Sequence, residues 1–293
     1  MPRAKRRVTL FHNLSAGDAD HNKRELTRLI AAAGYQVAYF DAKKCDIPSI
    51  LDKPADLIAV AGGDGTIRRV ALAARSDGPP IAVLPLGTAN NIANSLGIRS
   101  AMQELIDGWR DPTLSKFHPI DVEAPWGQQR LIEGIGFGVL AEVIRESNGE
   151  AVGPLDARQR IAETMREAEA KTFDIRIDDA RISEPTVLLE VTTIPLVGPN
   201  LLLAPDANPA DQLIDLCRVA APDRDRAADW LAAPGEDAPA PLTATAATHI
   251  AISGQFALVR LDDAVRIVDY QGTATISLAS ATEPLHFVVP AQD

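Results

Sequence analysis

The sequence predicts an α/β N-terminal domain with a parallel sheet, followed by a β-rich, sandwich-like C-terminal domain. Three observations lead there. Short apolar runs alternate with segments of helical period over residues 1–118. Two of those runs end directly in glycine-rich turns. From Phe117 onward β signals dominate, broken by few helical stretches.

The elements follow in order. Residues 8–13 read as an apolar strand that ends in a polar turn at 14–18. Residues 23–33 place Leu26, Leu29, Ile30 and Ala33 at a helical period, and Gly34 stops the helix. A second strand is expected at 36–40 and a weak helix at 47–51. Residues 56–61 are nearly all apolar, as in a strand covered on both faces. A glycine turn follows, then a helix over 67–74, a strand at 81–86, and helices at 88–96 and 101–109. Such alternation implies a parallel sheet wrapped on both sides.

The second domain is assigned to residues 119–293, its last strand free to pack back on the first. Strands are expected at 120–123, 130–135, 173–177, 187–194, 213–219, 249–252, 257–261, 265–268, 273–278 and 286–289. A helix over 156–170 interrupts them, 223–233 suits a second, and 234–241 is a Pro- and Ala-rich loop expected to be mobile. Many short strands separated by turns suggest a sandwich or barrel.

Composition excludes several classes. A formal net charge of -11 argues against a broad nucleic-acid surface. Cys45 and Cys217 lack a partner spacing and read as thiols of a reducing compartment. The five histidines show no zinc-binding pattern. The basic start, Arg3 to Arg7, is not followed by a signal-peptide pattern, and the apolar stretch 185–205 contains Glu190, Asn200 and four prolines. The protein reads as cytoplasmic.

The strongest chemical signal is Gly62-Gly63-Asp64-Gly65-Thr66, between a buried strand and a helix. Glycines let the backbone approach a phosphate, and helix-start amides point at the anion, so the turn suits ATP or a similar nucleotide. Asp64 repels phosphate unless it holds magnesium or orients a hydroxyl. The plainer reading makes it an N-cap. Pro85-Leu86-Gly87-Thr88-Ala89-Asn90-Asn91 also follows a strand and opens a helix. Thr88 and Asn90 could hydrogen-bond a ligand there, or Thr88 could simply cap the helix. Asn13 and Gly17 lie in the turn after the first strand, which alone reads as an ordinary turn. There is no Walker-type loop, and Gly134-Ile135-Gly136-Phe137-Gly138 reads as a glycine-rich strand rather than a dinucleotide fingerprint.

NxxxG, then GGDGT, then PLGTANN, in this order, resembles the diacylglycerol-kinase-like catalytic domain, especially that of compact bacterial lipid kinases. Ile120-Asp121-Val122 before Gly134-Ile135-Gly136-Phe137, the segment from Leu203 to Leu213, and Val268-Asp269-Tyr270-Gln271 extend the resemblance along the chain. It implies a substrate cleft between two domains and transfer of the ATP γ-phosphate to a lipid hydroxyl. Gly62, Gly63, Asp64, Gly65, Thr66, Gly87 and Thr88 would then serve ATP, with Asn13, Gly17 and Asn90 beside them. Asp64 would join a Mg2+ network, with Asp121 a candidate second member. A separate structural magnesium would fall near Asn208, Asp211 and the Leu213 carbonyl, although Asp211 equally suits a turn.

The chain departs from the pattern at several positions. Arg68-Arg69 stand where Asn-Glu is usual, Asn91 where Asp is usual, Gly138 where Asp is usual, and Gln271 at the catalytic Glu position. An amide cannot accept a proton at neutral pH, leaving Asp269 as a substitute. The resemblance therefore implies a kinase for a diacylglycerol-like or sphingoid lipid. The alternatives are a nucleotide- or lipid-binding pseudokinase and a small-molecule kinase related to NAD kinases; the PLGTANN segment favours the lipid branch over the last. A lipid acceptor implies peripheral contact with a membrane surface, where Arg3, Lys5, Arg6 and Arg7 could meet anionic lipid or simply stay solvated. A homodimer stays open.

Overall fold

A computed structural model describes residues 5–17, 21–147, 153–233, 240–268 and 272–291. The chain divides into two compact units, Met1–Phe117 with Glu283–Asp293, and His118–Thr282.

The first unit comprises β1 (Arg7–His12), α1 (Lys23–Ala32), β2 (Gln36–Asp41), α2 (Ile47–Leu51), β3 (Leu57–Gly62), α3 (Asp64–Ala73), β4 (Ile81–Pro85), α4 (Asn91–Ser95), α5 (Met102–Gly108) and β5 (Thr113–Phe117). Its sheet runs β2-β1-β3-β4, all parallel, and is completed by the late strand Leu285–Val289, parallel to β4, and then by β5. Every residue of β3 is buried. Val8, Leu10, Ala59, Ala61, Ala82 and Leu84 share one apolar cluster with Leu26 and Ile30 of α1 and with Ile106 and Trp109. Burying a Leu or Ile contributes roughly 1.5–3 kcal/mol, so this stripe fixes the helix on the sheet. Asn22 caps α1, its side chain accepting the Glu25 N–H at 3.1 Å.

Two expectations need correction here. The helix expected from residue 67 begins at Asp64, inside the glycine turn. The helix expected over 88–96 shrinks to α4, because Asn90 at φ 51 bends the chain in the left-handed region. Asn90, not Thr88, occupies the N-cap position.

The second unit contains β6 (Ile120–Ala124), β7 (Gly127–Leu131), β8 (Gly134–Gly138), α6 (Val139–Ser147), α7 (Pro154–Glu167), β9 (Lys171–Thr172), β10 (Asp174–Ile177), β11 (Ala180–Ile182) and β12 (Pro185–Thr192). After these come β13 (Leu196–Val197), β14 (Leu201–Leu202), β15 (Ile214–Ala220), α8 (Arg224–Ala232), β16 (Thr243–Ala247), β17 (His249–Gly254), β18 (Leu258–Leu261), β19 (Ala264–Ile267) and β20 (Ala274–Ser280); the strand Leu285–Val289 is β21. Two antiparallel sheets, β11-β10-β17-β20-β6-β7 and β16-β15-β12-β8-β18-β19, form a sandwich. Ile120, Ile175, Ile250 and Ile276 from the first sheet meet Ile135, Leu189, Leu216 and Val259 from the second. Leu188 and Cys217 on the other face of the second sheet pack with Leu140 of α6, Ile161 and Met165 of α7, and Leu231 of α8.

The strand expected over 130–135 is two strands. The Asp262 carboxylate accepts the N–H groups of Ile132 at 3.2 Å, Glu133 at 2.8 Å and Gly134 at 3.0 Å, which takes those amides out of any ladder. Helix α6 was not expected; Gly138, at φ 86, turns the chain from β8 directly into it. At Gly136 an added Cβ would overlap the Glu190 carboxylate, and Glu190 reaches across this bare position to Arg260, whose Nε donates to Oε2 at 3.0 Å. Residues 234–239 of the expected mobile loop lie outside the described residues. Among the described residues no helix is long and apolar enough to cross a membrane.

Candidate functional site

The strand order β2-β1-β3-β4 changes direction between β1 and β3, a topological switch point, beyond whose carboxyl ends open α/β sheets bind ligands. Three turns meet there. The Asn13 N–H donates to the Ala61 carbonyl at 2.9 Å, tying the turn after β1 to the end of β3. Gly17, at φ 78, lies so close to Leu86 that an added Cβ would sit 3.3 Å from the leucine Cβ. A Cβ on Gly87 would come 2.5 Å from the Gly63 Cα, and one on Gly63 would come 2.9 Å from the Gly87 Cα. The two glycine motifs thus touch backbone to backbone, an approach that only glycine permits.

The second turn is braced internally. Gly87 N–H donates to Asn90 Oδ1 at 2.8 Å, and Asn90 Nδ2 donates to the Gly87 carbonyl at 2.7 Å. Asp64 ties the turns together: its Oδ2 accepts the Asn91 N–H and its Oδ1 the Ile92 N–H, both at 3.0 Å. The carboxylate therefore caps α4 across the turn, although it belongs to the first turn of α3. Burial pushes the Asp64 carboxyl above its ordinary range, and the backbone amides oppose that shift. The Asn91 and Ile92 amides are thus committed to Asp64, while Gly63–Gly65 and Ala89 are half-buried and Thr88 is exposed. The Thr66 side chain is 7% exposed and packs over Gly62, so its hydroxyl faces the turn itself. Asn13 Oδ1 accepts the Ser15 N–H at 3.2 Å and shapes the first turn.

Among the described residues of these turns, Asp64 supplies the one carboxylate that could serve magnesium. Among the described residues no three His, Cys, Asp or Glu side chains are grouped to hold a metal. Among the described residues, Asp64 therefore fits magnesium as one protein ligand to an ion carried by nucleotide phosphates.

The remaining expected residues belong to the second unit. Asp121 pairs with Arg130, Nε to Oδ1 at 2.7 Å, across β6 and β7. Asn208, Asp211 and Leu213 share one turn: Asn208 Oδ1 accepts the Ala210 N–H at 3.1 Å and Asp211 Oδ1 accepts the Leu213 N–H at 2.8 Å. Each carboxylate or amide thus shapes its own backbone. Gln212 beside them holds φ 67 without being glycine. Burial, with Asp211 and Asp206 nearby, pushes Asp215 up to about 6. Asp269 and Gln271 lie outside the described residues, as does Arg3. Arg6 Nη1 donates to the carbonyl of Arg110 at 3.1 Å, so this basic side chain is engaged by its own unit.

Two site neighbours escaped sequence reading. Lys43, in the turn after β2, donates from Nζ to Ser15 Oγ at 2.9 Å. His12, the last residue of β1, is 1% exposed; its Nδ1 lies 3.0 Å from the Tyr39 hydroxyl, and its Nε2 has no hydrogen-bond partner among the described residues. A polar residue at the carboxyl end of a buried strand was the signal available for His12.

Residues 7–122 match the family described as the diacylglycerol kinase catalytic domain. A diacylglycerol kinase of Bacillus subtilis (strain 168) is 30% identical over 166 residues, covering 55% of this chain and 54% of the relative; the chain thus spans about half of that protein's length. A crystal structure of a diacylglycerol kinase from Bacillus anthracis str. Sterne superimposes with a TM-score of 0.69 at 18% identity, covering 98% of each chain. An NAD kinase from Archaeoglobus fulgidus, solved with ATP, gives a TM-score of 0.54 at 14% identity, covering 96% of this chain and 93% of that one. The last two likenesses are of fold. Through residues 7–122 the chain is similar to the diacylglycerol kinase catalytic domain family.

Proposed function

We propose that the first unit binds ATP through the three turns and that the chain transfers the γ-phosphoryl group to the hydroxyl of a diacylglycerol-like or sphingoid lipid. The observation that carries this reading is the backbone contact between Gly63 and Gly87, which brings both glycine motifs to one point at the switch of the sheet. Backbone amides of Gly63–Gly65 and the Thr88 hydroxyl hold the phosphates in place, and Asp64 fixes the second turn against the first. Magnesium, entering with the nucleotide and held by Asp64, would neutralise charge on the phosphates. Phosphoryl transfer depends chiefly on positioning and charge stabilisation. On this reading Asp269 takes the acceptor proton and Gln271 hydrogen-bonds the acceptor without accepting its proton. The lipid is met at a membrane surface, by peripheral contact.

A second reading, a pseudokinase that binds without turnover, is favoured by one feature: amides stand at Asn91 and Gln271 where the family resemblance calls for carboxylates. The test is transfer of labelled γ-phosphate from ATP to vesicles carrying diacylglycerols or sphingoid bases. The kinase reading expects a labelled lipid. ATP binding with no labelled lipid over that panel, together with activity that appears only in Gln271→Glu, would instead establish the binding module.

A further inference from the structure

The three turns contain no Lys or Arg: they read Asn13-Leu14-Ser15-Ala16-Gly17, Gly62-Gly63-Asp64-Gly65-Thr66 and Gly87-Thr88-Ala89-Asn90-Asn91. Asp64 adds a negative charge, in a chain whose formal net charge is already -11. Backbone amides supply partial charges only, and magnesium would travel with the nucleotide, so a full positive charge fixed to the chain would add to the hold on a polyphosphate.

Lys43 is placed to provide it. It is exposed and sits just beyond the carboxyl end of β2, the strand that flanks β1. Its backbone N–H donates to Asp41 Oδ1 at 3.0 Å, which fixes the turn, while its Nζ reaches Ser15 Oγ in the first turn at 2.9 Å. The neighbouring Lys44, not Lys43, makes the ion pair with Asp41, at 3.5 Å. The Lys43 ammonium thus meets a neutral hydroxyl. An ammonium has three donors, and a bond to a hydroxyl is weaker than one to a phosphate oxygen. The Ser15 contact draws a long, flexible side chain over the turn and leaves donors for an anion.

We propose that Lys43 is the phosphate-binding cation of this nucleotide site, held over the first turn by Ser15. The proposal rests on the reading of the three turns as a nucleotide-phosphate site. It names a charge that comes from the loop after β2, in a chain whose phosphate turns carry none.

Calorimetric titration of the full chain with ATP, ADP and adenosine tests it, using the parent, Lys43→Gln and Lys43→Arg. Lys43 is exposed, so the variants should melt with the parent. The expected result is ATP binding weakened about tenfold or more in Lys43→Gln, a loss that shrinks at high salt. Adenosine binding stays unchanged, and Lys43→Arg recovers most of the ATP affinity. Lys43→Gln binding ATP within about twofold of the parent would overturn the role of Lys43 alone. Equal losses for ATP and adenosine would also overturn it, because they would mark a change of shape rather than of charge. A parent that binds neither ATP nor ADP would refute the nucleotide reading itself, and this proposal with it.

Discussion

Asp64 shows how much one side chain organises. Its two oxygens accept the first amides of α4 and so join the glycine motifs through a pair of bonds 27 and 28 residues apart in sequence. Capping losses run at about 0.5–2 kcal/mol, and both bonds vanish in Asp64→Ala. We expect that variant to lose about 1–2 kcal/mol in urea unfolding and most of its nucleotide affinity, with Asp64→Asn losing less of each. Unchanged stability in Asp64→Ala would show that the cap contributes nothing.

His12 gives a pH dependence with a definite sign. Burial lowers its pKa below 6.5, against the pull of Asp41 and with help from His21. The folded chain holds this proton less tightly than the unfolded chain, whose ring takes it up near 6.5, so stability falls as pH drops below that value. Unfolding free energies at about pH 7 and about pH 5 should show a smaller drop in His12→Gln than in the parent. An equal drop would remove His12 from the account.

At the scale of elements, the second unit turns on a bare strand position. Glu190 on β12 and Arg260 on β18 are both buried and meet across Gly136 of β8, their registers placing each opposite that glycine. Burial pushes the Glu190 carboxyl up, and the guanidinium opposes the shift. Separating a buried pair costs about 3–5 kcal/mol, here chiefly because it leaves the Glu190 carboxylate without its partner. Gly136→Ala should therefore lower stability by about 3 kcal/mol in chemical denaturation, and a loss under about 1 kcal/mol would contradict this packing.

The glycine motifs of the first unit follow the same logic. A methyl group at Gly87 would press on the Gly63 backbone at 2.5 Å, and backbone cannot give way as a flexible side chain would. Gly87→Ala should separate the turns and abolish the thermal stabilisation by ATP. Retention of that stabilisation would mean that the contact between the turns is dispensable.

At the scale of the whole molecule, local patterns were legible and long-range partnerships were not. The alternation of apolar runs and helical periods named β1 to β4 and their helices, because each signal lies within one element. The glycine turns were readable because their special backbone demands special residues. The split at Ile132–Glu133 was hidden, since it depends on Asp262, some 130 residues away. So were the capping role of Asp64, the reach of Lys43 to Ser15 and the reason for Gly136, each of which needs a partner that no local window contains. Helix α6 was missed because a glycine-rich strand runs into it without a polar turn to mark its start.

If separate strand ends hold one polyphosphate, hydrogen exchange of the full chain with and without ATP will register all of them at once. Slower exchange should appear together at residues 13–17, 63–65 and 88–89, and it should be weaker with adenosine, which lacks phosphates. ATP that binds without slowing exchange at both glycine turns would contradict that shared hold.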